Sequence, residues 1–231
     1  MSSDAPHGAA RPRNTVSAAE LGNLLGESLP TADSVSAAEL ALVDAARTLL
    51  DAIMRSAVDD EERWRLAKQI ERIIEDLRAT PRDDLVRLVR HPDGRIENLA
   101  QAAAGRCNPR SLRLRFDDMT LPPADQPPTP VEVRGWCELD ASAAGPPERA
   151  HGGIVATILD EALGVAMMKA GRTGMTVSLE VSLHAGVPLG VPLEVRSRCV
   201  DFDGRKTRAT AELVVDDKVL ARGAALFVAS R

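Results

Sequence analysis

The 231-residue sequence predicts an α+β protein: an antiparallel sheet of about six strands wrapped around one central helix, preceded by an α-helical extension. Three observations predict it. Apolar residues recur at helical spacing in the first part of the chain, and after Asn108-Pro109 they alternate with polar residues. Within the alternating half, HGGIVATILDEALGVAMMKA (residues 151–170) is apolar on nearly every helical face, the pattern of a helix buried on all sides. The strand-like segments around it are joined by short turn signals, as antiparallel neighbours require.

Residues 1–33 are rich in Ala, Ser, Pro and Gly, and read as a flexible leader with one short helix around residues 18–25. Residues 34–104 read as the helical extension. Ser36 and Glu39 form a capping box, and Leu40, Val43, Leu50, Ile53 and Met54 recur at helical intervals behind it. A second helix carries Asp59, Asp60, Glu61 and Glu62 at its start, where the helix dipole favours acids, and Trp64, Ala67, Ile70, Ile74 and Leu77 along one stripe. The pair predicts an α-hairpin. A third short helix is predicted from Arg82 to Arg90, stopped by His91-Pro92.

Residues 105–231 read as the sheet-and-helix domain. SLRLRF and VEVRGWCEL alternate, and the proline-rich LPPADQPPTP between them is a loop. After the apolar helix, TVSLEVSLH sets Val177, Leu179, Val181 and Leu183 on one side, as in a half-buried strand. PLEVRSRCVDF and KTRATAELVV flank Asp203-Gly204, and KVLARGAALFVA follows Asp216-Asp217.

A formal charge of -5, 2 Trp, 3 Phe and no Tyr argue against nucleic acid, which calls for a basic face and stacking aromatics. Cys107, Cys137 and Cys199 are odd in number and lack metal or redox spacing, as in reduced intracellular proteins. No apolar run approaches a membrane span, so a cytoplasmic protein is expected. The four histidines show no ligand spacing, and no metal or other cofactor is expected.

Asp160 and Glu161 sit in the middle of the apolar helix. A buried carboxylate needs a partner or shifts its pKa, so either one is a candidate base or nucleophile, or lies at a gap in the sheet. His151-Gly152-Gly153 opens the same helix, where first-turn N–H groups lack internal partners and favour developing negative charge.

These residues carry a resemblance. GPPERAHGGIVATILDEALG, then MTVSLEVSLHAGVPLGVPLEV, then a closing ARGAALFVA strand, resemble the PaaI-like hot-dog acyl-CoA thioesterases over roughly residues 105–229. The resemblance implies Asp160 as the catalytic acid, the Gly152 N–H as oxyanion donor, His151 supporting that turn, and Thr176 as a hydroxyl supplied from the other subunit. Gly153 and Glu161 are accessory, substrate-side positions. It implies an acyl-CoA or acyl-carrier substrate and a homodimer or homotetramer. Some relatives carry an Asn shortly before HGG; here ASAAGPPERA has none, which favours a route through the carboxylate. Two other readings stay open: a hydratase, for which His151 is the only candidate proton-transfer histidine, and a non-catalytic acyl-CoA-binding or scaffold protein. Arg172, Arg205 and Lys206 lie on loops where CoA phosphates could sit, with solvated charge as the simpler reading.

Overall fold

The computed structural model describes residues 29–82, 87–123 and 125–229. The predicted helix at residues 18–25 lies outside them. Helix α1 (Ala37–Arg55) begins at Ser36, whose hydroxyl accepts the Glu39 N–H at 3.1 Å, as the capping box requires. Helix α2 (Asp60–Arg78) begins at Asp59, whose carboxylate accepts the Glu62 N–H at 2.9 Å.

The two helices do not make the predicted α-hairpin. Of the α1 stripe only Val43 is buried, whereas α2 buries nothing and leaves Trp64 72% exposed. Helix α1 is instead fixed to its own chain by Arg47, which donates to the Asn108 carbonyl at 2.7 Å, and by packing on the 3-10 turn Ala141–Ala143. The predicted third helix lies partly outside the described residues, at 83–86, and its end is not helical. Leu88–Arg90 is strand β1, paired antiparallel with β2 (Ile96–Asn98) across a turn at Gly94. His91-Pro92 thus opens a hairpin turn rather than ending a helix. Residues 30–35, placed largely in the leader, pack on this hairpin, with Ala32, Val35, Val89 and Leu99 forming a small separate core.

The main sheet has the order β3-β4-β6-β7-β8-β5, all antiparallel, from β3 (Arg115–Phe116), β4 (Val131–Glu138), β5 (Met175–Leu183), β6 (Pro192–Asp203), β7 (Lys206–Val215) and β8 (Lys218–Val228). Six strands around one helix are as the sequence predicts. SLRLRF is extended only at its end, because Arg113 adopts a left-handed φ of 57°. The N–H groups of Leu112 and Leu114 turn instead to the carbonyls of Ala102 and Ala103.

Helix α3 (Gly152–Lys169) crosses the concave face, packing on β4, β6, β7 and β8 and only lightly on β5. Ile158, Leu159, Ala162, Leu163 and Ala166 are wholly buried against Leu193, Leu213 and Ala221. Each buried Leu or Ile contributes roughly 1.5–3 kcal/mol by removal from water. Gly223 on β8 sets the approach: a Cβ there would lie 3.2 Å from that of Leu159.

Strand β5 differs from its sequence reading. It pairs with β8 on one side only, and of its predicted inward residues only Val181 packs against the core, while Val177 is 58% exposed and Leu183 56%. Sequence alternation reports that a strand has one apolar face, and says nothing of whether its own chain covers it.

Candidate active site

Helix α3 starts at His151, whose backbone is extended (φ -65°, ψ 136°) and whose N–H donates to the Ala143 carbonyl at 2.9 Å. Its ring turns back so that Nδ1 accepts the Gly153 N–H at 3.0 Å. The N–H groups of Ile154 and Val155 both reach the His151 carbonyl, at 2.9 and 3.2 Å. Among the described residues the Gly152 N–H alone in this turn has no acceptor. With the helix dipole behind it, that donor points where negative charge is favoured. Gly153, by contrast, has its N–H occupied by His151.

Asp160 is half-buried in the middle of α3, and its Oδ1 accepts a hydrogen bond from the Thr176 hydroxyl at 3.2 Å. Thr176 stands at the start of β5, where the β5–β8 register shifts between Thr176 and Ser178. The contact lies within one chain, whereas the resemblance implies a hydroxyl supplied from the other subunit. The light packing of α3 on β5 leaves this pair beside the open strand edge rather than under the sheet.

Glu161, one residue on, meets a different neighbour. Gln101 donates from Nε2 to Glu161 Oε2, while its Oε1 accepts the N–H groups of Ala103 and Ala104 at 2.8 and 2.6 Å, which fixes the amide's orientation. Burial pushes the Glu161 carboxyl up to about 7, opposed by the Gln101 hydrogen bond and reinforced by the charge of Asp160. Gln101 carried no signal in the sequence, because its partner is 60 residues away.

Two of the three loop cations are engaged elsewhere. Arg172 donates to the Thr207 hydroxyl and the Gly204 carbonyl and lies 5.8 Å from the centre of the Phe202 ring; Arg205 holds the Ala229 carbonyl at 2.6 Å. Burial raises the thiols of Cys137 and Cys199 to about 12 and about 11, so neither is a ready nucleophile. Among the described residues no cluster of His, Cys, Asp and Glu could hold a metal ion, and no helix is long and apolar enough to cross a membrane.

Residues 148–221 match the thioesterase superfamily model. A solved thioesterase superfamily protein is 28% identical with a TM-score of 0.70, covering 86% of this chain and 97% of its own. That coverage takes in much of the extension as well as the sheet. The phenylacetic acid degradation protein PaaI from Thermus thermophilus is 22% identical with a TM-score of 0.43, covering 51% of this chain and 95% of its own. Zebra fish thioesterase superfamily member 2 is 15% identical with a TM-score of 0.45, covering 57% and 91%. No curated protein matches the chain. The six strands wrapped around α3 form a hot-dog fold, and the segment from just before α3 into β8 is the part that matches the thioesterase superfamily.

Proposed function

We propose that the protein is an acyl-CoA thioesterase whose reaction centre is completed by two protomers. The observation that carries this reading is one helix bearing both a free Gly152 N–H and, eight residues on, the Thr176-held Asp160, beside an unpaired apolar edge strand. Eight residues at 1.5 Å each separate the two groups by about 12 Å along the axis. A reacting carbonyl needs its oxyanion donor within about 3 Å and its attacking group within about 3.5 Å, so one helix cannot serve both ends of one thioester. Two copies joined through β5 bring two such helices side by side and antiparallel, the start of one facing the middle of the other.

In that arrangement the thioester oxygen accepts from the Gly152 N–H. Asp160 of the partner subunit takes a proton from water as the water oxygen attacks the carbonyl carbon, or attacks directly to give an anhydride that water then cleaves. Either way the C–S bond breaks, the thiolate leaves and is protonated, and the acyl group departs as the free acid. Thr176 keeps the carboxylate aimed.

The test is complementation. Gly152→Pro removes the N–H, and its ring needs only the flexible end of Leu183, 3.0 Å from a Cβ there, to give way: proline is well accommodated at a first helical position, and His151 already has the extended backbone that precedes proline. Asp160→Asn removes the base. Each variant alone is expected to release CoA at least 100-fold more slowly than wild type. Random mixing gives half heterodimers, each with one intact site of two, so activity returns to about a quarter of wild type. A mixture that dimerises yet stays at the level of its parts sinks the two-protomer centre. Wild-type protein that binds acyl-CoAs and releases CoA from none is a binding module instead.

A further inference from the structure

Between α1 and residues 111–115 runs a groove of about 390 Å³, within the size range of small-molecule sites. Its walls carry four arginines, Arg47, Arg106, Arg113 and Arg115, against a single carboxylate, Asp44. In a chain of net charge -5 this concentration of positive charge runs against the overall composition.

The four guanidinium groups are not equivalent. Arg106 is taken by Glu97 at 3.1 Å and the Ala32 carbonyl at 2.9 Å. Arg47 is locked: one nitrogen meets Asp44 at 2.9 Å, another the Asn108 carbonyl, and Nε is buried with no acceptor. Arg113 and Arg115 are exposed and have no acidic partner among the described residues. Arg113 is held at a φ of 57°, a backbone conformation that glycine adopts at lower cost. Leu40 and Leu114 supply apolar wall between the charges. An adjoining cavity of about 200 Å³ shares Leu114 and Arg115 and continues to Gln101 and Glu161.

We propose that this groove binds a phosphorylated small molecule, its phosphoryl oxygens received by Arg113 and Arg115 against the fixed positive wall of Arg47. Planar guanidinium forks match phosphoryl oxygens two at a time, and an apolar or planar body fits between Leu40 and Leu114. The phosphates belong either to the nucleotide end of CoA, in which case the inference rests on the thioesterase reading, or to a separate phosphorylated metabolite.

The experiment titrates the full chain with adenosine 3′,5′-bisphosphate, with inorganic phosphate and with CoA, at low and moderate salt. Saturable binding of the bisphosphate that weakens with salt, and weakens at least tenfold further in Arg113→Glu/Arg115→Glu, is the expected result. The neutral pair Arg113→Gln/Arg115→Gln, also at exposed positions, should show the same direction with a smaller loss. Arg198→Glu, on the outer face of the sheet, is expected to leave binding unchanged. Displacement of the bisphosphate by CoA supports the groove with CoA as source, and binding that CoA leaves intact supports it with a separate ligand. No saturable binding by any probe, or equal weakening by Arg198→Glu, overturns it. A chain that hydrolyses acyl-CoA with unchanged KM in the double variant, and binds no bisphosphate, loses the groove and keeps the reaction. A chain that binds the bisphosphate there and releases no CoA keeps the groove and loses the reaction.

Discussion

Asp160 is steadied by one neutral hydroxyl and has no cation against it among the described residues, so its charge stays available to a reacting group rather than being neutralised in a salt bridge. Replacing Thr176 by Val removes that hydrogen bond at constant shape. It is expected to lower kcat about tenfold, or about 1.4 kcal/mol in the barrier, with the melting temperature nearly unchanged because Thr176 is exposed and water can replace its hydroxyl at Asp160. Steady-state kinetics beside a thermal melt check it; a full-rate valine variant would leave Thr176 no part in aiming the acid. Glu161 gives a second prediction with a definite sign. Its folded pKa of about 7 lies above the ordinary value of 4.5, so the native state binds the proton more tightly than the unfolded chain does. Its penalty is absent at low pH, grows as pH rises from 4.5 to 7, and is fully present above that, at about 3 kcal/mol from 1.36 kcal/mol per unit. Glu161→Gln is therefore expected to flatten the fall in stability across this window and to be the more stable protein at pH 8, as denaturant melts at several pH values will read. A variant that follows the wild-type pH curve shows that Glu161 does not carry the shift.

At the scale of elements, α3 was legible because two independent patterns agreed on it: apolar on all faces, and flanked by strands that needed covering. The HGG entry and Asp160 stood on it at readable spacing. What stayed hidden was set by contacts distant in sequence. β1 shows this well, because Leu88–Arg90 has too few residues to display a period, and its strand pairing depends on a turn and on Pro30 and Thr31 arriving from the other side. Gln101 and the left-handed Arg113 are further cases, each meaningful only through its fold neighbour. The closeness of α3 to β8 leads to another expected outcome. Gly223→Val places new atoms against Leu159 and Leu163 and should destabilise the fold by about 1–3 kcal/mol, the usual cost of overpacking. A chemical-denaturation midpoint that does not move would mean that the helix can ride higher on the sheet than its packing implies.

For the whole molecule, the sequence reading was right about the architecture, whereas apolar stripes and alternation could not say which of these faces their own chain would cover. α2 and β5 both expose theirs. For β5 the consequence is measurable: Val177→Lys with Leu179→Lys places like charges along the open edge, and is expected to shift the protein to monomer on a sizing column with light scattering and to abolish turnover together with it. Loss of activity without loss of association would separate the strand from the assembly. The opposite border of the sheet is built quite differently. β3 offers only Arg115 and Phe116, and the chain beyond it runs through Pro122, Pro123, Pro127, Pro128 and Pro130, which cannot extend a ladder. In the language of polymer chemistry the sheet is monofunctional, with one reactive end and one terminator, so under the proposed pairing through β5 edge-to-edge growth of this sheet stops at two copies and the same long apolar strand does not seed a fibre.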